Sequence, residues 1–150
     1  MLPKPFQVPD QSDAKFWPRF WKKVDKREDG CWVWTGCVIQ SGYGQVFVHP
    51  KYQYAHRVAY MGTKGTIPDG LTLDHLCRNR ACVNPDHLEA VTYRENALRG
   101  TGFSAINAKK TSCPQGHPYT PESIMWLKNP RRKQCRICHN ARGLARYYAA

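Results

Sequence analysis

The spacing of apolar positions changes near residue 30, which predicts a mixed α+β fold. Between residues 12 and 26, apolar side chains recur at four-residue intervals, as they do in an amphipathic helix. Pro18 suits the first turn of a helix, so we expect the regular part to begin there. The apolar stripe consists of Phe16, Trp17, Phe20, Trp21 and Val24.

Beyond residue 30 the apolar positions alternate, which is typical of short β-strands. Trp32 and Trp34 precede Ser41-Gly42, a favourable pair for a hairpin turn, and further alternating residues follow it. The predicted elements are a hairpin with its turn at residues 41–42, a short helix at 55–61, a turn at 65–70, and strands at 71–76 and 88–91.

The last of these strands runs into a well-marked helix start. Thr92 and Glu95 have the spacing of a capping box, and Gly100 is expected to end the helix. Residues 101–112 are rich in Gly, Ser, Ala and Lys, which predicts a linker. We therefore expect an extended or disordered N-terminus (1–11), a central domain (12–100), the linker, and a tail (113–150) with helical potential at 137–148.

The composition favours a polyanionic partner. The 150 residues include 23 Lys and Arg against 11 Asp and Glu, a formal net charge of +12. Neutralising phosphates releases counterions, so nucleic acid is one such partner. A basic ribosomal protein or a membrane-surface protein has similar composition. No apolar run is long enough to span a membrane or to act as a secretory signal, so we expect a cytoplasmic protein.

In that compartment thiols stay reduced, and the 7 cysteines suggest metal binding instead. Cys77, Cys82 and His87 form a C-x4-C-x4-H pattern. Two thiolates and an imidazole suit tetrahedral zinc, and either Cys31 or Cys37 could supply the fourth ligand. Free thiols beside a core histidine are the simpler alternative.

A second pattern in the tail, C-x3-H-x17-C-x2-C, is formed by Cys113, His117, Cys135 and Cys138. Such paired knuckles indicate a second structural zinc ion. The flanking basic residues suit contacts to a phosphate backbone, although a structural finger with a solvated basic face has the same composition. These basic residues are Arg131, Arg132, Lys133, Arg136, Arg142 and Arg146.

Asp74, His75 and Asn96 are the candidate catalytic residues. Phosphodiester hydrolysis needs a base that deprotonates water, for which imidazole is suited, and a hard cation, which carboxylate and amide oxygens bind. A histidine on a strand that faces an asparagine in the first helical turn would bring them together. Asp74 and His75 are adjacent, however, so in a regular strand they point to opposite faces. A bend at the strand end, or a cation to one side, is required.

Several segments together resemble the HNH endonucleases of the ββα-metal (His-Me finger) class, particularly small phage and bacterial members. They cover about half of the chain, and the tail resembles the zinc finger often appended to this family. The segments are residues 20–21, 31–36, 42–44, 55–60 and 67–70, and the central stretch from Asp74 to Glu89, followed by Asn96.

The resemblance implies a role for each matching residue. His75 would be the general base, Asp74 and Asn96 would hold Mg²⁺ or Mn²⁺, and Asn84 would brace the loop through backbone hydrogen bonds. Similarity to the His-Cys box homing endonucleases favours Cys31 as the fourth zinc ligand, which leaves Cys37 as a buried thiol. The acid at position 74 is closer to the HNH pattern proper. The residues implied to contact DNA in this domain are Arg57, Arg78 and Arg80, and Arg57 could equally form a salt bridge.

The predicted activity is therefore that of a zinc-stabilised, metal-dependent endonuclease acting on double-stranded DNA in a bacterial or phage-infected cell. A single active site nicks one strand, whereas cutting both requires a homodimer or sequential nicks. A non-catalytic DNA-binding module is the main alternative, and an RNA-binding zinc ribbon is a weaker one. The target sequence and the biological role (homing, restriction or phage packaging) do not follow from the residues.

Overall fold

The computed structural model describes residues 8–128 and 131–149, without the side chains of Lys128 and Arg131. Two compact units are present, the first ending at Asn96 and the second beginning at Ala97. The elements are α1 (Phe16–Trp21), β1 (Val24–Lys26), β2 (Trp32–Trp34), β3 (Gln45–Val48), β4 (Lys51–Tyr54), α2 (Ala55–Lys64), β5 (Leu71–His75), a 3-10 turn (Pro85–His87), β6 (Leu88–Thr92), α3 (Tyr93–Arg99), α4 (Phe103–Lys109), β7 (Ile124–Lys128), β8 (Arg131–Cys135) and α5 (Arg136–Tyr148).

The predicted α+β class is confirmed, and the described strands pair as antiparallel two-stranded hairpins. The N-terminal helix is shorter than predicted. It ends at Trp21, and Val24–Lys26 forms β1 rather than a last helical turn. The chain leaves the helix where Lys23 donates its amide to Phe20, and β1 then pairs with β2. Most of the N-terminal segment predicted to be extended, residues 1–7, lies outside the described residues, while Val8 packs against the core.

The predicted hairpin partner of β2 is also wrong. Residues 45–48 pair with β4 and not with β2, so that hairpin turns at His49-Pro50. The turn at residues 41–42 does exist, with Gly42 at a φ of 87°, but it closes only the isolated bridge between Val38 and Gly44. Gly44 itself lies against the ring of Trp34, where a Cβ would overlap the indole.

The core of the first unit is formed where α1, β2 and α2 meet. Its buried apolar side chains are Trp17, Phe20, Trp34, Val48, Ala55, Val58, Ala59 and Val83. Gly62 in α2 lies against the Trp17 ring and leaves no room for a Cβ. The predicted helix at 55–61 extends to Lys64, one turn further than its apolar pattern indicated.

β5, β6 and α3 form the ββα unit that carries the candidate catalytic residues. Leu71 pairs with Thr92 at one end of the β5–β6 hairpin, and His75 pairs with Leu88 at the other. The predicted capping box at the start of α3 is present, since Glu95 donates its amide to the Thr92 hydroxyl and accepts the Thr92 amide at 3.0 Å.

The second unit contains the tail. The segment predicted to be a linker holds the helix α4, in which Ala105 is buried. Beyond it, β7 and β8 form a hairpin that leads directly into α5, and α5 begins within one residue of its predicted start.

Candidate active site and zinc sites

His75 occupies the last position of β5, and its imidazole is buried. Its Nε2 atom lies 3.1 Å from the carbonyl oxygen of Cys82, in the loop that returns to β6. Burial lowers the pKa of His75, although the Cys82 carbonyl and the Asp74 carboxylate act in the opposite direction. The ring is therefore a buried imidazole anchored through one nitrogen.

Asp74 precedes His75, and only 2% of its surface is exposed. One of its carboxylate oxygens accepts a hydrogen bond from Arg78 at 2.6 Å, in an ion pair across a tight turn. The amide of Arg78 closes this turn on the carbonyl of His75, and Arg78 adopts a φ of 59°. The strand pairs in register through both residues, so no bend separates Asp74 from His75, and a shared site would need the cation to lie to one side.

Asn96 lies on α3, one turn beyond the capping residue Thr92, and it is half-buried. The ββα unit thus carries Asp74 and His75 on its first strand, β5, and Asn96 on its helix, α3. A carboxylate and an amide oxygen are hard donors of the kind that bind Mg²⁺ or Mn²⁺. The donor chemistry therefore fits a divalent cation.

The first Cys/His cluster joins the loop after β5 to the turn before β2. The ligand atoms of Cys31, Cys77, Cys82 and His87 all lie within 4.8 Å of one another. Tetrahedral zinc with bonds of about 2.3 Å separates its sulfur ligands by about 3.8 Å. The Nδ1 atom of His87 lies 3.7 Å from each of the Cys31 and Cys82 sulfurs, close to such an edge length.

Burial and the neighbouring thiols of Cys77 and Cys82 raise the pKa of Cys31 to about 12. Thiolates packed closely together repel one another unless a cation lies among them. A zinc ion would supply that charge, and the cluster could therefore hold one.

Backbone hydrogen bonds explain how β2 and the cysteine loop meet. Trp34 donates its amide to Ala81 at 2.8 Å, and Val83 donates to Trp32 at 2.7 Å, so the loop is attached along β2. Asn84 donates its side-chain amide to Gly30 at 2.8 Å and accepts the amide of Asp86. These contacts place Asn84 between the two chain segments that carry the thiols.

Cys37 is exposed rather than buried, contrary to the expectation for it. It lies after β2, in the segment that leads to the 41–42 turn, where its carbonyl accepts the amide of Gln45 while its side chain stays exposed. Of the two upstream cysteines, Cys31 is the one that joins the cluster.

The second cluster, in the tail, contains Cys113, His117, Cys135 and Cys138, again within 4.8 Å. The Sγ atoms of Cys113 and Cys138 are 3.7 Å apart, and His117 points its Nδ1 at both. Although desolvation opposes ionisation, backbone hydrogen bonds from Gln115 and His117 lower the pKa of Cys113 to about 6. This cluster could hold a second zinc ion.

The predicted DNA-contacting residues lie in both units. Arg57 is half-buried in the first turn of α2, Arg78 pairs with Asp74, and Arg80 is exposed and donates to the carbonyl of Ser41. The side chain of Arg131 is outside the described part. The other predicted contacts in the tail are Arg132, Lys133, Arg136, Arg142 and Arg146. Lys133 is half-buried, and the four arginines are exposed.

Sequence reasoning missed the surroundings of His75. The ring of His56 packs against His75, with centroids 4.8 Å apart, and the rings of Tyr43 and Tyr54 pack against His56. A signal was available, because His56 lies among the apolar residues of α2 and within the Ala-His-Arg segment. Spacing alone gave no indication that this helix meets the end of β5.

Comparison with known proteins relates the chain to one family. The family described as HNH endonuclease matches residues 53–98, which contain β5, β6 and most of α3. Protein 2.8 of Escherichia phage T7 is 37% identical over 106 residues, covering 69% of this chain and 68% of that protein. Protein 7.7 of the same phage is 38% identical over 69 residues, covering 46% and 53%. An uncharacterized gene 5.3 protein of Enterobacteria phage T3 is 32% identical over 78 residues, covering 43% and 77%.

No solved structure matches the chain. The chain belongs to the HNH endonuclease family. The family indicates a nuclease role and an interaction with nucleic acid. Within residues 8–128 and 131–149, none of the helices has the length and apolar character of a membrane span.

Proposed function

We propose that this protein is an endonuclease that hydrolyses phosphodiester bonds in double-stranded DNA by a one-metal mechanism, with His75 as the general base. The observation that carries the proposal is the contact of His75 Nε2 with the Cys82 carbonyl at 3.1 Å. A carbonyl oxygen can only accept a hydrogen bond, so Nε2 carries the ring proton. Nδ1 then has the lone pair that a general base needs.

The environment of His75 suits this role. Burial lowers its pKa, which keeps the imidazole neutral and able to accept a proton at neutral pH. In the proposed reaction Nδ1 accepts a proton from water while the water oxygen attacks phosphorus. One phosphorus–oxygen ester bond breaks, and the leaving oxygen takes a proton from solvent.

Asp74 and Asn96 are proposed to hold Mg²⁺ or Mn²⁺. A divalent cation bound there would neutralise the charge on the scissile phosphate and on the leaving oxygen. Arg78 forms an ion pair with one carboxylate oxygen of Asp74 at 2.6 Å, so its guanidinium would compete with the cation for Asp74. Once exchanged from Asp74, the Arg78 guanidinium would remain beside the substrate as a phosphate contact.

The zinc clusters are proposed to be structural. Cys82 provides both a thiol of the first cluster and the carbonyl that orients His75, so this zinc ion would stabilise the geometry of the base. The basic side chains of the tail are proposed to contact the DNA backbone, because exposed arginines around a zinc-clipped hairpin can follow phosphates without reading bases. Homodimerisation would allow both strands to be cut.

The proposal is tested with supercoiled plasmid, with and without added Mg²⁺ or Mn²⁺. Wild type, His75→Ala and His49→Ala are compared, because His49 is an exposed histidine outside the site. We expect wild type and His49→Ala to produce open-circle or linear plasmid only with added cation. His75→Ala should lose at least about 10²-fold in rate, the usual contribution of a general base. Zinc content and DNA affinity, measured in parallel, should stay at wild-type values.

Two results would contradict the proposal. Cleavage by His75→Ala at the wild-type rate would remove His75 from the role of base. If all three proteins bind DNA tightly but none cleaves any of several plasmids, a non-catalytic DNA-binding module would be favoured. Because EDTA can also extract zinc, omission of the added cation serves as the metal-free control, and zinc is quantified after each assay.

A further inference from the structure

His56 is a buried polar residue that the proposed chemistry does not use. It lies in the first turn of α2, and only 7% of its surface is exposed. Among the described residues, its Nδ1 atom has no hydrogen-bond partner. A buried polar atom without a partner destabilises a folded protein, and a ring of similar shape without that atom would avoid this cost.

The surroundings of His56 link it to the candidate base. Its ring meets His75 edge to face, at 4.8 Å between centroids and an interplanar angle of 65°. Tyr54 stacks on His56 at 5.6 Å, and Tyr43 lies 5.3 Å from His56 and 5.9 Å from His75. These four rings, which we call the ring cluster, come from three chain segments, since Tyr54 and His56 lie two residues apart, and His56 contacts the other three rings.

The ring cluster and the Cys82 carbonyl restrict His75 in complementary ways. The contact at Nε2 fixes one edge of the imidazole but still allows rotation about that hydrogen bond. Rings packed against the remaining surface oppose this rotation, because aromatic pairs prefer particular angles and distances. Together these contacts would favour one orientation of Nδ1.

The electrostatic state of His56 is compatible with this arrangement. Burial lowers the pKa of His56 to about 3, with further contributions from His75 and Arg57. His56 is thus a neutral ring at neutral pH. A charged ring at this distance would oppose the positive charge that His75 acquires when it accepts a proton.

We propose that His56 is a positioning residue that, at the centre of the ring cluster, holds His75 in the single orientation in which Nδ1 faces the substrate. The geometric part of this inference is independent of the proposed nuclease activity. Its effect on rate rests on that activity. The role is one of ring packing, so a benzene ring at this position should substitute for the imidazole.

The test compares zinc-loaded wild type, His56→Ala, His56→Phe and the exposed control His49→Ala, all with ¹⁵N-labelled histidine. Two-bond ¹H–¹⁵N spectra at one fixed neutral pH report the tautomer of His75. We expect wild type, His56→Phe and His49→Ala to show a single Nε2–H tautomer and His56→Ala to show a mixture.

In plasmid cleavage, kcat of His56→Ala should fall roughly 10- to 100-fold with KM nearly unchanged, since small misplacements of a catalytic group reduce the rate by about this factor. His56→Phe should recover most of the rate.

The outcomes separate this inference from the proposed function. An unchanged His75 tautomer in His56→Ala, whether or not the protein cuts DNA, overturns the inference. The inference is also overturned if His56→Phe folds correctly but cleaves as slowly as His56→Ala, because a nitrogen of His56 would then be required. Absence of cleavage by wild type rejects the proposed function, while the tautomer result still decides the inference. If His56→Ala loses its zinc, Tyr43→Ala removes a different ring from His75 and is measured in the same way.

Discussion

Lowering the pH from about 7.5 to about 5.5 should destabilise the first unit by about 1.4 kcal/mol through His56 alone. In the unfolded chain this histidine has its ordinary pKa of 6.5, whereas burial lowers the pKa to about 3 in the folded protein. Between these values the unfolded state binds the proton and the folded state does not. The free energy of unfolding therefore falls as the pH decreases below 6.5 and continues to fall until the pH approaches 3.

The magnitude follows from linkage. Each pH unit well inside this window lowers the free energy of unfolding by about 1.4 kcal/mol. The range from pH 7.5 to 5.5 extends about one pH unit below the unfolded pKa, so the total change is about 1.4 kcal/mol. Urea unfolding at several pH values, followed by tryptophan fluorescence, measures the free energy of unfolding, because the core of this unit contains Trp17 and Trp34. The comparison is with His56→Gln, which has a similar size and no ionisable ring.

Zinc loss at low pH would also destabilise the protein, so the slopes are compared over the pH range in which both proteins keep the same zinc content. His49→Gln makes the same substitution at an exposed histidine outside the core and serves as the control. We expect the His56→Gln curve to be flatter by about 1.4 kcal/mol over the range. Parallel curves for wild type and His56→Gln would refute the reasoning, whatever the absolute stabilities.

Two further predictions use matched pairs of residues. Gly143→Ala in α5 should stabilise the second unit by up to about 1 kcal/mol, because nothing lies within 4 Å of the new Cβ. Gly62→Ala should destabilise the first unit by about 1–3 kcal/mol, because its Cβ overlaps the Trp17 ring. Denaturant unfolding measures both free-energy changes, and changes of the same sign would contradict the packing. Cys31→Ser should reduce the bound zinc from two ions to one per chain, whereas Cys37→Ser, at an exposed cysteine, should keep both ions. Elemental analysis measures the zinc content, and loss of zinc from Cys37→Ser would make Cys37 the fourth ligand.

Much of the candidate site could be predicted because its signals are local. Cysteines and histidines at metal-ligand spacing predict a cluster before any fold is known, and the capping box at Thr92 and Glu95 marked the start of α3 correctly. The choice between Cys31 and Cys37 could not be made from spacing. It depends on which residue lies beside the 77–87 loop, and that is set by the hydrogen bonds of Trp32 and Trp34 to this loop.

The errors came from short strands and from contacts between distant segments. Val24 fits a helical stripe and a three-residue strand equally well, because β1 is too short to show alternation. The β7–β8 hairpin has no alternating pattern either, since one of its strands, Arg131–Cys135, is almost entirely polar. His56 was missed for a related reason: its proximity to His75 arises from how α2 meets β5, and no local pattern encodes it.

Cys82 belongs to two sites at once, through its side chain in one and its main chain in the other. If His75 is the base and the cluster holds zinc, as proposed, zinc binding and the alignment of His75 are thermodynamically linked, and the coupling free energy is the same in both directions. In a nuclease built this way, a molecule that loses its first zinc ion also loses the orientation of its base, even before it unfolds. We expect cleavage to depend on zinc supply, so that newly made chains become active only once they are fully metallated.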